Sequence, residues 1–93
     1  MTIQELEYIV IQSLRDNLEL SGESIPDITN STKPACDLAG FDSLRAIEVL
    51  MSIEEKIECE LPPEKIFSNI NLEDITVSSM VKSIYQFTKE KTK

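Results

Sequence analysis

The stretch Asp42-Ser43-Leu44-Arg45-Ala46-Ile47-Glu48-Val49-Leu50-Met51-Ser52-Ile53-Glu54-Glu55-Lys56-Ile57-Glu58-Cys59-Glu60 decides the fold and most of the function. Asp42 is a good N-cap, because its carboxylate accepts a backbone N–H and complements the positive end of a helix dipole. At about 100° per residue, Ala46, Val49, Leu50, Ile53 and Ile57 fall on one side, an adequate core stripe. Pro62-Pro63 forbids continuation, so the spacing predicts a helix over 42–60.

Working outward from this helix, the rest also reads as helical. Thr2 and Glu5 are spaced as a capping box, and Ile3, Leu6, Val10, Leu14 and Leu18 then recur with helical spacing until Ser21-Gly22. Residues 21–41 are punctured by Gly22, Pro26, Asn30-Ser31, Pro34 and Gly40, which predicts one long connection. Ile25, Ile28, Leu38 and Phe41 suggest that it packs over the helices. Beyond the prolines, Pro63–Phe67 predicts a short third helix and Asn71–Asp74 a further turn. Val77, Met80, Val81, Ile84 and Phe87 predict a last helix from Val77 to about Thr88. No segment alternates with period two long enough to make a sheet. The expected fold class is all-α: a small four-helix bundle, three longer helices plus a short third, with a long loop between the first two. Residues 1–88 are the expected domain, and 89–93 a basic, disordered tail.

Composition narrows the function. Ninety-three residues bound one small domain. Seventeen Asp and Glu against nine Lys and Arg give a net charge of −8, and the tail carries three of the lysines, so residues 1–88 stand near −10. Phosphate backbones and anionic membrane surfaces need the opposite sign, so nucleic acid is excluded as a partner. There is no histidine, which removes the usual general base and the commonest metal ligand together. No Asp- or Asn-rich calcium loop occurs, so no metal site is expected. Cys36 and Cys59 are too few for a disulfide framework, and no secretory leader pattern precedes the first helix. No apolar run approaches the roughly 20 residues of a membrane span. The expectation is a soluble, cytoplasmic monomer without catalytic activity of its own.

The second helix is more apolar than folding requires. Opposite its core stripe lie Leu44, Ile47 and Met51, interleaved with Glu48, Glu55 and Glu58. An aligned apolar group rimmed by charge is a candidate interaction surface. Burial of Leu44 or Ile47 under the long loop or a neighbouring helix is the alternative. On the functional reading the apolar residues anchor a partner and the carboxylates steer it. Met51 suits that role through its flexible, polarizable side chain.

Ser43 sits immediately after the cap. With no histidine and no lysine near it in sequence, it is not a self-activated nucleophile. The helix start does favour an anion attached to its hydroxyl. Chemistry there would be performed by another enzyme.

Gly40-Phe41-Asp42-Ser43-Leu44 resembles the Asp-Ser-Leu attachment motif of acyl carrier proteins. The resemblance continues through Ile47–Met51, Ile53–Ile57 and Leu61-Pro62 and covers essentially the whole chain. It implies that a phosphopantetheinyl transferase, using coenzyme A and magnesium, attaches 4′-phosphopantetheine to Ser43, with Asp42 and Leu44 completing the motif. The arm ends in a thiol that carries acyl chains as thioesters. The carrier presents them to acyl-loading and chain-processing enzymes with basic docking surfaces, through Leu44, Ile47, Glu48, Met51, Glu54 and Glu55.

Three departures point away from the general fatty acid carrier and toward a specialised one in lipid or secondary-metabolite assembly. Arg45 stands where an acidic residue usually follows the motif, Asp37-Leu38-Ala39-Gly40 has an extra residue before the glycine, and the segment from Ile66 to Thr76 does not match a housekeeping carrier closely. Two other readings remain: an aminoacyl or peptidyl carrier, and an unmodified acidic helical adaptor in which Ser43 only caps the helix.

Overall fold

A computed structural model describes residues 2–38, 40–67 and 71–91, residues 90 and 91 by their backbone alone. The first helix, α1 (Ile3–Leu20), starts on the expected capping box: the Glu5 N–H donates to the Thr2 hydroxyl and the Thr2 N–H to the Glu5 carboxylate. The Thr2 backbone N–H, with the hydroxyl behind it, holds the Glu5 carboxyl below its ordinary value. At the other end Gly22, in the left-handed region at φ 74°, lets the Glu23 N–H reach the Leu18 carbonyl and its own N–H the Glu19 carbonyl. That closure satisfies carbonyls the helix leaves open. Leu6, Val10, Leu14 and Leu18 are buried as the spacing predicts, whereas Ile3 stays 43% exposed in the first turn.

The long connection contains an element its sequence did not reveal, the one-turn helix α2 (Pro34–Asp37). It is pinned rather than loose. The carbonyls of Asn30 and Thr32 accept the N–H groups of Ser78 and Val77, so the connection caps the last helix. Leu38 is buried, and Ile28 and Phe41 pack on the core. Ile25 does not; it remains exposed. Ala39, the extra residue before Gly40, lies outside the described residues.

Helix α3 (Ser43–Ile57) buries Ala46, Val49, Leu50 and Ile53. It ends three residues before the expected position at 60. Glu58 takes the left-handed conformation (φ 55°), the Cys59 N–H turns back to the Glu54 carbonyl, and the Glu54 carboxylate accepts the Leu61 N–H at 2.6 Å. The chain has therefore left the helix before Pro62 can stop it.

Next come the short helix α4 (Pro63–Ile66) and a single 3₁₀ turn over Leu72–Asp74, both at expected places. The last helix, α5 (Val77–Lys91), opens with a reciprocal pair: the Ser79 N–H donates to the Thr76 hydroxyl and the Thr76 N–H to the Ser79 hydroxyl. It runs beyond the expected end at Thr88, so residues 89–91 are helical where a disordered tail was expected. Lysine and glutamate are good helix formers, and cations suit a helix C-terminus. Thr92 and Lys93 lie outside the described residues.

Helix α1 packs against both α3 and α5, α4 packs on α5, and α2 packs on the 3₁₀ turn. One core joins them, from Leu6 and Val10 through Leu50 and Ile53 to Met80 and Ile84. The fold is a small all-α bundle, with no strand among the described residues.

Candidate functional site

The N-terminus of α3 is built by three residues. Gly40 lies at φ 69°, a conformation other residues rarely adopt, and a Cβ there would stand 3.5 Å from the Arg45 guanidinium. Asp42, extended, turns its carboxylate onto the Arg45 N–H at 2.9 Å while its carbonyl accepts the Ala46 N–H. Ser43 is then the first helical residue and is exposed. The Ser43 and Leu44 N–H groups have no carbonyl one turn back to donate to. An ester-linked phosphate on the Ser43 oxygen would sit at the positive end of the dipole, where helix ends hold anions. Exposure, orientation and polarity fit a phosphate-linked arm.

The outward face of α3 presents what its spacing predicts. Leu44 is 64% exposed, Met51 59% and Ile47 39%, so the loop covers none of them. Glu48, Glu55 and Glu58 are exposed beside them. Glu54 departs from this set. It is half-buried, and one of its oxygens holds the Leu61 N–H, so its first task is to end the helix.

Toward α4 the helix borders two adjoining grooves. The first, about 450 Å³, opens beside Ser43 and is lined by Ala46, Ile47, Pro63, Glu64, Phe67, Leu72 and Ile75. Glu64 is the single charge among them. The second, about 690 Å³, shares Ile47, Pro63 and Glu64 and runs past Met51 to Cys59 and Leu61. Phe67, Leu72 and Ile75 were absent from the sequence-derived site. They lie on elements that only the tertiary fold brings to Ser43.

Toward α1 the helix is closed by polar bonds. The Lys56 ammonium donates to the buried Ser13 hydroxyl and to Asp16, both at 3.0 Å. The Lys56 hydrogen bond, helped by the Gln12 amide, holds the Asp16 carboxyl below its ordinary value. Nearer the start of α3, the Arg45 guanidinium donates to Asn17 Oδ1 at 3.3 Å, and Asn17 Nδ2 donates to Glu48 at 3.2 Å. Arg45, the residue that breaks the motif's acidic pattern, is thus turned toward α1. Asn17 carried no signal in the sequence beyond being a polar residue on a helix flank.

Among the described residues no helix is long and apolar enough to cross a membrane. None of their carboxylates and thiols group in threes that could hold a metal ion. A family model described as "Phosphopantetheine attachment site" matches residues 9–76, well over half of the chain. No solved structure matches it.

Proposed function

Since the chain belongs to the phosphopantetheine-attachment family, whose members bear a covalent 4′-phosphopantetheine group installed by a transferase, we propose that it is an acyl carrier protein with Ser43 as the attachment residue. The observation that carries this reading is the juxtaposition at one helix end. An exposed hydroxyl at the first position of α3 stands at the mouth of a groove lined almost entirely by apolar side chains. Once bound, the arm supplies a terminal thiol that holds acyl groups as thioesters.

The chain's own residues do the rest. Asp42 fixes the first turn so that Ser43 faces outward for the transferase. There the Oγ–P bond forms as the bond to the nucleotide half of coenzyme A breaks, and the hydroxyl proton leaves to the transferase. Ala46, Ile47, Phe67, Leu72 and Ile75 offer an apolar lining beside the arm, which supports acyl rather than peptidyl cargo. Leu44, Ile47 and Met51 anchor partner enzymes, and Glu48 and Glu55 steer basic surfaces toward them. Glu54 contributes by holding the end of this face in place. The unmatched motif features, Arg45 foremost, support a specialised carrier serving a dedicated lipid or secondary-metabolite pathway rather than the general fatty acid carrier.

The test is intact mass after incubation with coenzyme A, magnesium and a permissive phosphopantetheinyl transferase. The wild type should gain one phosphopantetheinyl group, and Ser43→Ala should gain none while melting at the same temperature. Modification of the Ser43→Ala protein would overturn the assignment. Loading of the modified protein by an acyl-activating enzyme but not an amino-acid-activating one supports acyl cargo, and the reverse result replaces it with the peptidyl reading.

A further inference from the structure

Helix α3 carries two cations, and both point away from its outward face. Lys56 reaches Ser13 and Asp16, and Arg45 reaches Asn17, all on α1. The first is an ion pair; the second is not. Arg45 and Glu48, three residues apart on one helix, are spaced to pair directly. Instead the Asn17 amide stands between them, and the Lys56–Asp16 contact is the ion pair found among the described residues. A guanidinium only donates and a carboxylate only accepts. The amide therefore has a single workable orientation, Oδ1 to Arg45 and Nδ2 to Glu48, and Glu48 anchors the end that Arg45 does not use. The guanidinium also lies over Gly40, whose lack of a Cβ leaves room there for it and for the nearby Glu23 carboxylate.

We propose that Asn17 is a positioning residue for partner recognition: it holds Arg45 off the docking face, so that a basic partner meets carboxylates and apolar side chains without an opposing cation. This rests on the docking role given above to the outward face of α3. An arginine side chain is long enough to swing from the α1 seam to the base of that face, two residues from Ser43. Released there, it would repel a basic surface at the point where the transferase must approach the Ser43 hydroxyl. The cost of that repulsion falls on association, since charges at an interface rim mainly set the encounter rate.

The experiment measures KM and kcat for the carrier in the transferase reaction with coenzyme A and magnesium, at low and at 0.3 M salt. Asn17→Ala should raise KM for the carrier roughly fivefold at low salt with kcat unchanged, and the gap should narrow as salt screens the repulsion. Adding Arg45→Gln to that background should return KM to within about twofold of the wild type, because the freed cation is then gone. Asn17→Asp, which still accepts from Arg45 but cannot donate to Glu48, should stay near wild type, and it carries the test if Asn17→Ala fails to fold. A KM rise that Arg45→Gln does not reverse, an Asn17→Asp protein as impaired as Asn17→Ala, or no rise at all would each overturn the proposal. Failure of the wild type to gain the arm is a separate result, and it overturns the carrier reading itself.

Discussion

The two flanks of α3 use one helix in opposite ways. Facing α1, its side chains are consumed: Lys56 and Arg45 are spent on Ser13, Asp16 and Asn17, and the seam is closed. Facing α4, its side chains are left open, and Ile47 borders both grooves. The difference is chemical. Long cations reach across a helix seam and find partners, whereas short apolar side chains opposite Pro63 and Phe67 leave space they cannot fill. A closed flank holds the helix in register so that an open one can offer the same geometry to a cofactor arm and to partners. Between them the outward face is free for encounter and the inward face is core.

The sharpest way to break the comparison is to exchange inward for outward. Ile53 is fully buried and Met51, two residues away, is 59% exposed. Ile53→Ala should cost about 2–5 kcal/mol of stability by denaturant unfolding, the range for a large aliphatic side chain deleted from a packed core. Met51→Ala should change stability by less than about 0.5 kcal/mol, as for most surface positions, yet speed dissociation from a loading enzyme, with the effect persisting at high salt. Equal destabilisation by both substitutions would show that the outward face is core after all.

The parts of α3 that decide its faces were legible because they depend only on the order of residues within one helix. Asp42, the Ala46–Ile53 stripe and the exposed Leu44, Ile47 and Met51 all follow from 3.6-residue spacing. The Thr2–Glu5 capping box was legible for the same reason. What escaped depends on distance along the chain or on too few residues. Helix α2 is four residues long, below any periodic signal. The early end of α3 needs a carboxylate to meet an N–H seven residues on. Asn17 finds its partners 28 and 31 positions away, and the lining from Phe67, Leu72 and Ile75 exists only once α4 and the 3₁₀ turn are packed. Polar pairing across helices leaves no pattern in one sequence, because any polar residue on a flank looks solvated until its neighbour is known.

A smaller effect probes how the open flank is bounded. The Leu61 amide is buried and its N–H is held by Glu54, so the wall of the larger groove depends on one side chain. Glu54→Ala leaves that donor without its acceptor, which should cost about 1–2 kcal/mol, within the range for an unsatisfied buried polar group. Amide hydrogen exchange at Leu61 should accelerate. Glu54→Gln keeps an acceptor oxygen and should retain most of the stability. If Glu54→Ala instead weakens partner binding with stability and exchange unchanged, then Glu54 belongs with the docking carboxylates and not with the helix end.

The smallest effect tests the closed flank. Asp16 and Lys56 are 44% and 32% exposed at their side chains, so solvent screens their attraction and the contribution stays under about 1 kcal/mol. Its sign and pH range follow from the lowered Asp16 carboxyl. The folded state holds the ionised form more tightly than the unfolded chain does. The stabilisation is therefore complete above the ordinary aspartate range near pH 4, and it is lost as the pH falls through the lower value of the folded protein. Asp16→Asn should be slightly less stable than wild type at pH 7, and the two unfolding curves should converge as the pH falls through the lowered folded value, below which the wild-type carboxyl is also neutral. Added salt at pH 7 should narrow the same gap. A gap that survives both acid and salt would mean that Asp16 acts through packing or its bond from Gln12 rather than through charge. The Lys56–Ser13 hydrogen bond would then be what fastens this part of α3 to α1.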